Sequence, residues 1–431
     1  MSKQKVTVFW FRRDLRLEDN VGLFHALQSS FPVIPLFIFD DAILENLPKN
    51  DARVGFIYDT LAQINSELNA IGSSLLVKKG TTSRVWAQLI IEFDVQEVYS
   101  NKDYEPYAIQ RDQTIATLLR NNGISFYWHK DQVIFEENEI TKADGLPYTV
   151  YTPYKNKWLE KFRMQCPLLE YNTAEYYSNF HKSDFVLPSI QDIGFEENSI
   201  KVKPNNLTQI KTYHETRDFP ALDTTSYLSP HLRFGTVSIR KLVNWSSKTN
   251  AVFLSELIWR EFFMQILFHF PKVVTHNFKS SYDGIQWRNN EAEFERWCSG
   301  NTGYPMVDAG MRELNATGYM HNRVRMVVAS FLCKHLLISW QWGEAYFAQK
   351  LLDYDLSANV GNWQWAAGTG CDAAPYFRVF NPEIQLKKFD EKEIYIRKWI
   401  PEFDLGYEVP MVEHAFARDR AITTYKAGIV K

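Results

Sequence analysis

Between Asp353 and Pro382 the chain reads DYDLSANVGNWQWAAGTGCDAAPYFRVFNP, which gathers two carboxylates (Asp353, Asp355), one amide (Asn359) and two indoles (Trp363, Trp365). Gly361, Gly368 and Gly370 interrupt the same stretch. Glycine weakens the interior of a helix or strand, so its density here serves a close approach of the backbone to something. Indoles and carboxylates around such an approach suit a large, flat, partly polar ligand. They also suit a tryptophan-rich core loop with incidental turns.

Three further groupings can carry chemistry. Asp223–Ser229 (DTTSYLS) sets Thr224, Thr225, Ser226 and Ser229 ahead of a helical run. Hydroxyls and free amides at a helix start suit a diphosphate, or simply an ordinary N-cap. Glu256, Trp259, Arg260 and Phe263 recur at helical spacing and share one face. A carboxylate beside an indole on an apolar face is costly without a partner or a purpose. Arg260 at i+4 is the bland partner. In YMHNRVRM, Asn322 and Met326 lie four apart and face one way, with Arg325 on the adjoining stripe and His321 in a structural place.

Elements must position these residues. VTVFWF (6–11), PVIPLFIFD (32–40), SSLLVKKG (73–80), VQEVYSN (95–101) and SFYWH (125–129) read as strands, and 53–72 as a helix closed by Gly72. Strand–helix alternation predicts a doubly wound, Rossmann-like parallel sheet over 1–130. No GxGxxG follows the first strand, which argues against an ordinary dinucleotide site. Residues 131–210 read as an irregular connector, and 211–431 as an all-α domain that holds nine of the thirteen tryptophans.

A net charge of −3 does not announce nucleic-acid binding, so any such contact needs a local patch. Cys166, Cys298, Cys333 and Cys371 lie far apart without a CxxC pair, pointing to reduced thiols with neither disulfide nor metal site. With no run of eighteen apolar residues and no signal peptide, a soluble cytoplasmic protein is expected. A monomer without an obligate protein partner is expected as well.

The Asp353–Pro382 block closely resembles the flavin-binding stretch of the photolyase/cryptochrome family, nearest to bacterial class I photolyases of cyclobutane pyrimidine dimers. So do WFRRDLRLEDN (Trp10–Asn20), RDFPALDTTSYLSPHLRFGTVS (Arg217–Ser238), ELIWREFF (Glu256–Phe263) and TGYPMVDAGMRELNATGYMHNRVRM (Thr302–Met326), all in the family's order. The resemblance implies FAD in the helical domain, held by Tyr213, Thr225, Ser226, Tyr227, Leu228, Ser229, Arg325, Asp353, Asp355 and Asn359. It implies Glu256, Asn322, Met326, Trp259 and Trp365 at a flipped-out dimer. Trp363, Trp340 and Trp287 match the family's electron-transfer chain, and Arg217, Arg260, Arg323 and Arg378 match positions near the DNA backbone.

It also implies a second, light-gathering chromophore, a reduced folate or a deazaflavin, in the α/β domain. Asn101 and Glu105 resemble folate-contacting residues, but NLPKNDA (46–52) lacks the histidine of the folate pattern. The implied activity is light-driven repair of UV-damaged DNA. The alternative is a cryptochrome-type photoreceptor, which usually carries a long C-terminal extension.

Overall fold

The computed structural model describes residues 3–429. Five strands, β1 (Lys5–Phe11), β2 (Val33–Asp40), β3 (Leu76–Gly80), β4 (Asp94–Asn101) and β5 (Ser125–His129), form one parallel sheet in the order β3-β2-β1-β4-β5. All five coincide with the strands expected from sequence. Alternation sorts the side chains of β1 between two layers. Phe9 and Phe11 join Leu23, Leu27, Leu61 and Leu68 from helices Val21–Leu27 and Ala52–Asn69. Val8 and Trp10 join Trp86, Leu89, Ile115 and Leu119 from helices Thr82–Glu92 and Pro106–Asn121. Helices therefore cover both faces, as a doubly wound sheet requires. Gly72, at φ +76°, closes the Ala52–Asn69 helix as expected.

The loop after β1 does something composition did not suggest. Arg16 donates to both oxygens of Asp131 at 2.8 Å, and Arg240 reaches Asp131 at 2.9 Å and Asp19 at 3.1 Å. All four side chains are buried. Arg13 pairs with Glu105 at 2.7 Å, and Arg233 shares that carboxylate at 2.6 Å. Burial works against the Asp131 charge, but Arg16 and Arg240 outweigh it and hold the carboxyl below its usual range.

Asn101, which the resemblance offered to a folate, is buried at 2% exposure with both polar ends in use. Its Oδ1 accepts from the Gly22 N–H at 2.8 Å, while Nδ2 donates to Asp14 at 2.6 Å and Asn20 at 2.8 Å. No atom of that amide is left for a ligand.

Two compact units emerge. The first comprises 1–136, 161–204 and 228–245; the second comprises 137–160, 205–227 and 246–431. The expected connector at 131–210 is thus divided between them. It is not irregular throughout, because Tyr151–Gln165 is a helix. Tyr151, Tyr154, Trp158 and Phe162 form its buried stripe at 3-4-4 spacing. That spacing was readable in the sequence, but Pro153 and the Lys- and Asn-rich flanks obscured it.

The second unit has no β-strand among its described residues. Helices Ala251–His269, Pro305–Thr317, Asn322–Ser330, Trp340–Lys350 and Leu356–Ala367 enclose a core that includes Trp297, Leu314, Val328, Phe347 and Trp363. Asn250 caps the first of these helices, accepting from the N–H groups of Val252 and Phe253 at 3.1 and 3.0 Å.

Candidate functional site

The Ala251–His269 helix presents Glu256, Trp259 and Arg260 on a half-buried stripe. Sequence spacing suggested Arg260 as the partner of Glu256; in the structure Glu256 forms an ion pair with Arg217 at 2.6 Å. Burial disfavours the Arg217 charge, yet the Glu256 carboxylate more than offsets it and raises the guanidinium. Arg217 also lies over the Tyr213 ring at 5.2 Å. Asp218 continues the chain to Arg323 at 2.7 Å, and Arg323 packs over Phe389 at 4.3 Å. Two of the four arginines matched to DNA contacts are thus tied to carboxylates. Arg378 is the exposed one, and its carbonyl accepts from buried Lys334 at 2.7 Å.

Trp259 does not stand free. The Tyr151 ring covers one face, with centroids 3.6 Å apart and planes within 10°. Trp365 is half-buried, as is Met326, and Asn322 is exposed at the start of its helix. His321 caps that helix through Nδ1, which accepts from the Arg323 N–H at 3.2 Å. Burial pushes the His321 imidazole down to about 4.

Arg325 donates through Nε to the Met320 carbonyl at 2.8 Å and through Nη2 to Asp353 Oδ2 at 2.9 Å. Asp353 Oδ1 is buried without a hydrogen-bond partner. Asn359 donates through Nδ2 to the Glu344 carbonyl at 3.1 Å and to Glu344 Oε1 at 2.9 Å, which leaves Oδ1 as its open end, an acceptor. Burial raises the Glu344 carboxyl. Asp355 is the N-cap of Leu356–Ala367, accepting from the Ala358 N–H at 3.2 Å.

The glycines of this stretch serve packing. A Cβ on Gly361 would sit 2.2 Å from the Phe263 ring, and Gly368 ends the helix at φ +90°. The close approach inferred from their density is thus, at these two positions, to the protein's own interior. A small apolar pocket lies along Phe263, Val360, Gly361 and Gln364, on a different stripe from Asn359 and Trp363.

Trp363 and Trp340 are each 2% exposed in the core of the unit, and Trp287 is half-buried at its edge against Tyr425, with centroids 5.8 Å apart. The indole N–H of Trp340 donates to Asn277 at 2.9 Å. Two of these oxidisable rings are buried and the third is partly exposed.

In the DTTSYLS segment, Thr224, Thr225, Ser226 and Tyr227 precede the helix Leu228–Phe234 in irregular backbone, with Asp223 and Tyr227 left-handed at φ +47° and +52°. The unit boundary falls between Tyr227 and Leu228, so Leu228 and Ser229 belong with the first unit. The Tyr227 hydroxyl is bound to Asp223, and its ring meets Tyr319 edge-on at 5.3 Å.

Sequence reasoning missed Tyr151, Asp218 and Glu344. Asp218 adjoins Arg217 and was readable as its neighbour. Glu344 lies 15 residues before Asn359, on another helix, with no local signal. The residues fit a flavin. Asp353 Oδ1 is a buried acceptor lacking a donor, Asn359 Oδ1 is a second acceptor, and Arg325 carries cationic N–H groups of the kind that suit an electron-rich edge.

The family model described as DNA photolyase matches residues 7–172, and that described as FAD binding domain of DNA photolyase matches 253–405. A deoxyribodipyrimidine photo-lyase of Agrobacterium fabrum is 35% identical over 99% of this chain and 98% of its own length. A bacterial class III photolyase from Agrobacterium tumefaciens superposes with a TM-score of 0.86 at 33% identity, covering 99% of this chain and 98% of its own. An archaeal photolyase from Sulfolobus tokodaii, described with two FAD molecules, superposes at 0.84 with 34% identity, covering 98% and 100%. Among the described residues no helix is long and apolar enough to cross a membrane, and all four cysteines are free. With an α/β sheet domain, an FAD-binding helical domain and full-length likeness at this level, the chain belongs to the DNA photolyase family.

Proposed function

We propose that this protein is a deoxyribodipyrimidine photolyase, which uses blue or near-ultraviolet light to split cyclobutane pyrimidine dimers in UV-damaged DNA. The observation that carries the reading is Glu256 and Trp259 on one half-buried helix face, a hydrogen-bonding group beside a flat ring. An enzyme acting on a base takes it out of the stack and grips it by stacking and hydrogen bonds, as photolyases do. Reduced FAD, when bound and excited by light, supplies one electron to the dimer and receives it back, so no net redox change results.

The chain's own residues do the rest. Arg325, Asp353, Asp355 and Asn359 hold the flavin end, with Tyr213, Thr225, Ser226, Tyr227, Leu228 and Ser229 toward the diphosphate. Glu256, fixed by Arg217 through Oε1, turns its other oxygen to the dimer. Trp259 and Trp365 line the dimer's rings, and Asn322 and Met326 complete the pocket. Trp287, Trp340 and Trp363 pass electrons inward. Arg378, being exposed, is the best supported of the phosphate contacts, and Arg217, Arg260 and Arg323 are half-buried candidates. Such contacts give affinity without reading sequence, which suits damage found anywhere. A second chromophore, a reduced folate, a deazaflavin or a further FAD as in the archaeal relative, gathers light, and a single chain suffices for repair.

The test is a thymine-dimer oligonucleotide incubated with reduced protein under blue light and in the dark, followed by chromatography. Loss of the dimer in light alone is expected. No loss in light overturns the reading.

A further inference from the structure

The first turn of the Tyr151–Gln165 helix is fixed against the helix that carries Trp259. Besides stacking on that indole at 3.6 Å, Tyr151 shares its hydroxyl with Ser255, 2.7 Å from the carbonyl oxygen and 2.6 Å from Oγ. Ser255 lies one turn before Trp259, so the ring and the hydroxyl of Tyr151 grip the same helix at two points. The Tyr151 N–H donates to Asp372 Oδ2 at 3.1 Å. One turn further on, Tyr154 Oη and Trp158 Nε1 donate to Glu261 Oε1 at 3.3 and 2.7 Å, and Glu261 is itself buried.

Tyr151 is therefore immobile and 6% exposed, while Trp259 keeps part of its surface open. Phe263 flanks Trp259 at 5.4 Å and Phe262 meets it edge-on at 5.6 Å. An indole free to turn would lose rotamer freedom on gripping a ligand, whereas one already clamped loses little. We infer that Tyr151 is a positioning residue for lesion binding: it backs Trp259 and fixes the plane of the indole, so that the remaining surface receives a flipped-out pyrimidine dimer. The inference rests on the placement of Trp259 in the dimer pocket.

The experiment uses full-length, FAD-loaded protein in the dark, with fluorescence anisotropy on duplexes that carry a thymine dimer or none. Tyr151→Leu removes the flat ring and is expected to weaken dimer binding about tenfold, the scale of an aromatic pair. Flavin content and binding to undamaged duplex stay the same, and under light the defect falls on KM rather than kcat. Tyr151→Phe keeps the ring and restores most of the affinity. In a Trp259→Ala background, Tyr151→Leu adds nothing, because there is no indole left to orient.

Wild-type dimer affinity in Tyr151→Leu, while Trp259→Ala loses binding, overturns the inference and leaves the pocket standing. An equal loss in Tyr151→Phe and Tyr151→Leu also overturns it, since the hydroxyl and not the stack would then matter. No loss in Trp259→Ala brings down the pocket reading and the inference together. Should Tyr151→Leu fail to accumulate as flavoprotein, Tyr151→Met takes its place under the same outcomes.

Discussion

The loop after β1 and the region from Glu256 to Asn359 both bring charge into buried surroundings, and they treat it in opposite ways. Around the loop the carboxylates are closed: Asp131, just after β5, is held by Arg16 and Arg240, and Asp19 by Arg240 and Ser238. In the second unit Asp353 keeps a buried oxygen without a partner, Asn359 keeps an open acceptor and Asn322 stands exposed. Apart from Arg16 Nε, a buried donor without a partner, the closed network has spent its hydrogen-bonding capacity on the fold. An open one holds capacity in reserve for a ligand. WFRRDLRLEDN marks the family as clearly as the flavin stretch does, yet its charges work for architecture.

The sharpest way to break that contrast is to open the closed network. Asp131→Ala takes the shared carboxylate from two buried guanidinium groups and is expected to cost about 3 kcal/mol, read from the urea midpoint. The folded Asp131 carboxyl is held below its ordinary value, so its contribution is complete above about pH 4 and fades as pH falls through the folded value. Asp131→Asn should therefore flatten the acid limb of the stability curve. A variant that kept full stability and lost only flavin would reverse the roles assigned to the two regions.

Next comes the open network. Asp353→Ala removes a charged hydrogen-bonding group and is expected to weaken FAD binding by about ten- to a hundredfold, with a smaller loss of apo-protein stability than Asp131→Ala. Flavin absorbance after dialysis against increasing volumes reads the first quantity, and urea unfolding the second. Trp363→Phe replaces an oxidisable ring with an inert one of similar shape. Photoreduction by thiol under blue light should slow at least about tenfold, while repair by chemically pre-reduced protein continues. An unchanged photoreduction rate would sever the tryptophan route.

The smallest effect separates two arginines. Arg378→Ala should reduce the log–log salt slope of damaged-DNA binding by about 0.9, one phosphate contact, with stability unchanged. Arg323, paired to Asp218 and packed over Phe389, should instead cost about 1 kcal/mol of stability on replacement by Ala. Equal slopes and equal stabilities for the two variants would erase the distinction between the exposed and the packed arginine.

The sheet was readable because its strands are short apolar runs bounded by turns, and parallel burial makes such runs near-continuous; β2 is buried at every residue. The helical stripe Glu256–Trp259 was readable for the same local reason. Partners brought together from afar were not. Nothing near Asn359 names Glu344, and nothing near Trp259 names Tyr151, since sequence spacing carries no information across helices. Gly361 misled because glycine reports close approach without saying to what, and the answer was the Phe263 ring. Tyr151 was hidden by the polar composition around a four-aromatic stripe.

Choice of lesion tests the account most directly. Repair of a (6-4) photoproduct needs a proton delivered near neutral pH, and Met326 cannot deliver one. His321, depressed to about 4 by burial and using Nδ1 as a helix cap, is not a neutral-pH donor either. Reduced, FAD-loaded protein should be illuminated with oligonucleotides carrying each lesion separately and the products resolved by chromatography. The cyclobutane dimer should be converted to normal pyrimidines and the (6-4) product left intact; repair of the (6-4) product, or of neither lesion, would overturn the assignment of the pocket.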